Sequence, residues 1–247
     1  MALWRDNRRP GAITPLRRPS GVVVGGVVLP APDEIFSTGL EGWWRGDSVT
    51  TTGSAVDQMD DLSGNARHMK QGTPANKPTT TTVGGQDAVR FDPTSDPQYL
   101  ITDSNHAIGG APHVLVAVYY NVAAVSAGMT MTIENAALEL RQGAASRVQF
   151  RVNATSVDGS TSITTSLKAV VCADDGVGST IYVNNVSDGS NGAATDTPTA
   201  DQWTLGARDG GTFANNMVLA EALTISGAIT AQQRTQLQAY FADRYGL

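Results

Sequence analysis

Acid–base chemistry in this chain would have to be built from a few widely spaced acids. Glu134, Glu139 and Glu221 stand in the second half of the sequence, each without a partner acid at a useful spacing. Cleaving a sugar bond needs two carboxyl groups flanking it, one to give a proton and one to attack or activate water. In Leu138-Glu139-Leu140 the leucines are expected to face a core, which predicts that Glu139 points to solvent. No Gly-x-Ser-x-Gly elbow, Walker A loop or His-Glu-x-x-His pair is present, and His68, His106 and His113 lie at no metal-ligand spacing. The expectation is a chain that is not an enzyme.

Other chemistry-bearing residues have simpler readings. Asp57, Asp60, Asp61, Asp92 and Asp96 read as turn and cap residues that bond backbone amides. Cys172 is the lone cysteine, excludes an intrachain disulfide, and reads as a buried apolar residue. Trp43, Trp44, Tyr119, Tyr120, Trp203 and Phe213 could stack on sugar rings, but aromatics are mostly core. Neighbours on a strand face opposite ways, so one of Trp43 and Trp44 is expected inside and the other outside. Arg45-Gly46-Asp47 is expected to form the turn that follows that strand.

The elements that must position these residues are mostly strands. The densest turn chemistry lies between Asp57 and Met69, where Ser63-Gly64-Asn65 offers a residue free to take positive φ, flanked by short polar side chains. Asp61, Ser63, Gly64 and Asn65 are taken as a structural turn, with Asp61 accepting amide bonds. His113 to Val122 is almost entirely apolar and predicts a central strand covered on both faces. Arg147 to Asn153 alternates, with Val148, Phe150 and Val152 inward. Further strands are expected at 129–133, 137–141, 165–172, 180–186, 201–206 and 216–225. One helix is expected near the end. Thr230 and Gln233 form a capping box, Leu237, Tyr240, Phe241 and Tyr245 share a stripe, and Gly246 terminates it.

The 247-residue chain can bury a full core. Its formal charge of −6 is unevenly spread: residues 1–30 carry Arg5, Arg8, Arg9, Arg17 and Arg18 against Asp6, and the remainder is strongly acidic. An acidic body argues against nucleic acid as the partner. No apolar run has the length of a membrane span. Residues 1–36 contain Pro10, Pro15, Pro19, Pro30 and Pro32, which break helices. Their one apolar run, Val22, Val23, Val24, Val27 and Val28, is short, split by two glycines and late for a leader, so the segment is expected to be retained. The reading is an extended docking arm over 1–36, using Arg8, Arg9, Arg17, Arg18 and the valines to bind a partner, ahead of one domain over 37–247.

The order of motifs resembles the laminin-G-like, concanavalin A-like jelly-roll domains of bacteriophage structural and bacterial surface proteins. The carrying residues are Trp43-Trp44, then Asp61-Leu62-Ser63-Gly64-Asn65-Ala66-Arg67-His68, then Val89-Arg90-Phe91-Asp92 with Tyr99-Leu100. Leu205-Gly206-Ala207, Glu221 and the closing Tyr245-Gly246-Leu247 follow in the same order, as does Tyr182-Val183-Asn184-Asn185 with Asn185 where glycine is usual. The resemblance covers roughly residues 38–247. It implies an all-β fold: a two-sheet antiparallel jelly-roll sandwich with one C-terminal helix and an extended N-terminal arm. Lytic enzymes of this fold carry an E-x-D-x-E run on one strand, which this sequence lacks. Some laminin-G-like members bind calcium through loop carboxylates; the expectation here is no cofactor, with calcium at the five aspartates as the alternative. The function implied is a virion structural protein, a capsid decoration or tail-attached surface protein. Its partners would be other virion proteins and further copies of itself, a trimer among the arrangements, on the particle surface. The alternatives are a tail-fibre or receptor-binding protein that reads host-surface glycans, and a polysaccharide hydrolase.

Overall fold

A computed structural model describes residues 22–24, 27–106, 108, 112–125, 127–133, 138–153, 155–192 and 200–247. The chain opens with a short hairpin, β1 (Val22–Val24) and β2 (Val27–Leu29), and a one-turn helix α1 (Pro32–Ile35). Then come β3 (Leu40–Thr52), β4 (Ala55–Asp61), β5 (Met69–Lys70), β6 (Thr79–Val83), β7 (Gln86–Phe91) and β8 (Leu100–Thr102). The middle holds β9 (His113–Asn121), β10 (Met129–Ile133), β11 (Leu138–Gln142), β12 (Arg147–Val152) and β13 (Thr155–Ser162). The last third holds β14 (Lys168–Asp174), β15 (Ser179–Val183), β16 (Val186–Asn191), β17 (Thr204–Leu205), β18 (Met217–Ser226) and helix α2 (Ala231–Tyr245).

Apart from the β1–β2 hairpin, the strands form one continuous hydrogen-bonded path, β13-β12-β11-β10-β17-β8-β5-β4-β6-β7-β18-β9-β14-β15-β16. Every ladder pairing is antiparallel. The path turns back on itself at β4, where β3 joins β4 to β18 and a ring of five strands, β3-β4-β6-β7-β18, closes. The two limbs of the path therefore face one another across a buried apolar layer. Trp44, Met59, Phe91, Leu115, Tyr119, Phe150, Trp203 and Leu219 all belong to it. At the far end β13 and β16 lie side by side without a ladder. Asp188 Oδ1 and Oδ2 accept from the Ser160 and Thr161 amides and Oδ1 from both hydroxyls. Gly159 and Gly189 permit this approach. A Cβ on Gly159 would meet Asp188 Oδ2 at 2.3 Å, and one on Gly189 the Asp158 carbonyl oxygen at 2.5 Å.

β9 explains why its sequence is apolar throughout. Leu115, Ala117 and Tyr119 face the layer between the limbs, while Val114, Val116 and Val118 face a second apolar cluster under α2. That helix begins at the Thr230–Gln233 capping box, buries Leu237, Tyr240 and Phe241, and ends at Gly246 with φ +71°. It also accounts for the tryptophan pair. The two rings do face opposite ways, but both are buried, Trp44 between the limbs and Trp43 beneath α2. An outward strand position is therefore not a solvent position on this limb, contrary to the alternation argument.

Two further expectations change. Arg45-Gly46-Asp47 is not a turn: it lies within β3, at the bulge between Trp44 and Val49. A Cβ on Gly46 would sit 2.5 Å from the Ala88 Cα, so glycine lets β3 pass over β7. The boundary at residue 37 also moves, because Ala31, Ile35 and Phe36 are buried in the cluster beneath α2. Pro32, read as a helix breaker, opens α1, where its missing N–H costs nothing.

Candidate functional site

The Asp61 turn is a hub of backbone bonds. Asp61 Oδ1 accepts from the Trp43 and Ser63 amides at 3.0 and 2.9 Å, and Oδ2 accepts from the Arg67 amide and the Ser63 hydroxyl at 2.9 Å each. Gly64 takes φ +91° and Asn65 Nδ2 donates to the Leu40 and Glu41 carbonyls. Arg67 continues the hub inward. Its carbonyl accepts from Trp44 Nε1, and its guanidinium sits 4.8 Å from the Trp203 ring centroid. Each buried donor left unsatisfied would cost about 1–3 kcal/mol, so this carboxylate serves the fold. Three of the other four aspartates are also engaged: Asp57 with Lys77 and Thr52, Asp60 with Gln58, and Asp92 with the Thr94 amide and Arg90. Among the described residues no group of His, Cys, Asp and Glu converges as metal ligands would. Phe91 and Gly206, from two separate motifs, meet directly. Gly206 takes φ +89°, and a Cβ there would collide with the Phe91 ring at 2.3 Å.

Glu221 is fully buried beneath α2. Its carboxylate accepts from Trp43 Nε1 at 2.5 Å, from Tyr245 Oη at 2.7 Å, and from Tyr240 Oη at 3.3 and 3.4 Å. Arg244 Nε approaches to 4.0 Å and its other nitrogen pairs with Asp47. Burial pushes the Glu221 carboxyl up, against the pull of Tyr245, Trp43, Arg45 and Arg244. Burial and the neighbouring Glu221 likewise raise the Tyr240 and Tyr245 phenols. Among the described residues no second carboxyl bonds within this cluster, which ties α2 to β18 and β3.

Glu139 corrects its sequence-based reading. Leu138 and Leu140 do face the core, yet Glu139 is also fully buried, because three arginines fold over it. Arg141 and Arg151 reach Glu139 Oε2 at 3.2 and 3.3 Å, and Arg208, from the loop after β17, binds Oε1. Strand register builds the site in rows. Thr204, Thr132, Glu139, Arg151 and Ser156 are cross-strand neighbours from β17 to β13, and Arg141, Gln149 and Asp158 form the adjacent row. Three guanidiniums against Glu139, with Asp158 in the adjacent row also acting on Arg141, leave one positive charge in surplus on an otherwise acidic domain. Burial, together with Arg151 and Arg208 alongside, holds Arg141 below the usual arginine value despite Glu139. At the margin stands Phe213, 49% exposed, in the left-handed region at φ +53°, with the Arg208 guanidinium 4.8 Å from its ring centroid. Gln149 connects this face to an open depression lined also by Val125, Gln142 and Ala145.

Arg8, Arg9, Arg17 and Arg18 lie outside the described residues. Val22, Val23, Val24, Val27 and Val28 form the β1–β2 hairpin, whose backbone runs close to α2. The arginine face was missed by sequence reasoning. Arg141 follows Glu139 two positions on along β11, a legible hint, but Arg151 comes from β12 and Arg208 from 69 residues away.

No family model and no curated protein sequence matches the chain. Solved structures do. The binding domain of Paraclostridial Mosquitocidal Protein 1 aligns with a TM-score of 0.63 at 11% identity, over 82% of this chain and 52% of that one. Trypanosoma rangeli sialidase in complex with the inhibitor DANA aligns with a TM-score of 0.59 at 12% identity, over 88% and 35%. The botulinum neurotoxin serotype D binding domain aligns with a TM-score of 0.58 at 12% identity, over 81% and 51%. The chain spans about half or less of each of these. The likeness is one of fold: a predominantly β, sandwich-type domain with a C-terminal helix.

Proposed function

We propose that this chain is a non-catalytic recognition module: a bacteriophage virion structural protein whose two-sheet jelly roll is displayed on the particle, many copies together, by its N-terminal segment. One observation carries the reading. The β1–β2 hairpin and α1 gather on the α2 side of the sandwich, while the arginine face lies on the outer surface of the opposite limb. A partner gripping residues 1–29 would thus hold the domain by one side and leave the β10–β13 face outward. The motif order of phage surface domains supports the setting, and the toxin binding domains share the architecture. Against catalysis, both fully buried glutamates are saturated by donors that hold the fold.

The test is particle decoration. Full-length chain and a chain beginning at Leu29 are added to particles assembled without the native protein, and gold-labelled copies are counted by electron microscopy. The full chain is expected to decorate, and the shortened one to remain in solution although folded. Equal decoration by both would remove the anchor role from the N-terminal segment.

A further inference from the structure

We propose that the face around Glu139 binds a carboxylate-bearing polysaccharide, with Arg141, Arg151 and Arg208 holding the acid group and Phe213 packing on the sugar ring. The inference rests on the displayed-module reading in taking this face as outward.

The ion count comes first. A buried carboxylate needs compensation, and one well-placed arginine gives it. Glu139 has three, from two strands and a distant loop. Crowding guanidiniums opposes folding through like-charge repulsion, and Arg151 and Arg208 add to the burial that chiefly lowers the Arg141 value. An anion would relieve that repulsion. Donor supply points the same way. Each guanidinium has five N–H donors in a planar fork. Glu139 takes one from each, and Gln149 takes one more from Arg141. The side chains of Arg141, Arg151 and Arg208 remain 17%, 28% and 23% exposed, enough to present their outer edges.

Ligand class follows from what surrounds the charge. Forked donors match a planar carboxylate in two parallel bonds. The half-exposed Phe213 ring gives an apolar plane beside it, as a sugar's C–H face requires. Ser156 and Asp158 stand in the adjoining positions, with Gln149 already bridging Arg141 and Asp158. Nucleic acid fits poorly. Its backbone carries a charge about every 1.7 Å and is bound through many phosphate contacts, whereas this face offers three clustered guanidiniums with Glu139 and Asp158 among them.

Titration calorimetry of the full-length chain with polygalacturonate, and with its methyl ester, tests the proposal. The acid polymer is expected to bind at least about tenfold more tightly than the ester, the scale of one lost charge-assisted contact. Arg151→Ala should weaken the acid polymer about tenfold and Arg151→Lys should restore part of it, since a point charge lacks the fork. Phe213→Ala should weaken both polymers. Arg208→Ala, in a loop, serves if Arg151→Ala unfolds. Equal affinity for acid and ester, no binding to either, or indifference to these substitutions overturns the site. So does equally tight binding of single-stranded DNA, which would make the face a general polyanion patch. Particle decoration reports separately. If Arg151→Ala decorates normally while the wild-type protein ignores polygalacturonate, the ligand is wrong and the displayed module stands.

Discussion

Glu221 shows burial outweighing a full set of donors. In the unfolded chain its carboxyl titrates in the ordinary range, and in the fold at a higher value, so the native state holds the proton more tightly. Stability from this group is therefore full below the ordinary carboxylate range and is lost as pH rises through the raised value. Glu221→Gln removes the titration and keeps the shape. Its melting temperature relative to the native protein should rise as pH climbs from the ordinary carboxylate range through the raised value, by about 2–4 °C for each kcal/mol relieved. A difference that stays constant across that range would mean that the carboxyl titrates normally. Asp61 is the contrasting residue. Two of its partners are two and six positions away, so its hydrogen-bonding was legible in D-x-S-G-N-x-R. Glu139 and Glu221 take partners up to 69 and 178 positions distant, which no local pattern reveals.

Elements were readable where one period dominates. β9, β12 and α2 each follow a single rule of burial, and Asn184 and Asn185, at φ +47° and +64°, close the two-residue hairpin between β15 and β16. β13 was missed because Thr155–Ser162 buries only Val157 and Gly159 and is otherwise polar, much like a loop. α1 was missed because four residues cannot show a helical period, and its helix shelters only as part of the α2 packing. That packing separates two truncations. A chain beginning at Leu29 keeps Ile35 and Phe36 beneath α2, whereas one beginning at Ser37 exposes the surface they cover. Burying two such side chains is worth about 3–6 kcal/mol. The Ser37 form should melt well below the Leu29 form by calorimetry; coincident transitions would show α1 to be a passenger.

At the scale of the molecule, the path of strands is bent double so that its two ends, β13 and β16, come to rest together. Partial burial works against the Asp188 charge, but bonds from Thr161 and Ser160 hold its carboxyl below the usual range, so the clasp stays ionised at neutral pH. Asp188→Ala should loosen it, and light scattering should then show association that grows with concentration while the native protein stays dispersed. Unchanged scattering would mean that glycine contacts alone seal the seam. If the domain is displayed in many copies as proposed, the seam matters because local density is then high. A strand edge left open is a template on which a neighbour's backbone can zip, and many such encounters on one particle would fuse a lattice of separate domains into fibres. Here the two terminal strands cover each other's flank, with Asp188 on the Ser160 and Thr161 amides in place of a ladder, so neither edge lies open to a neighbour.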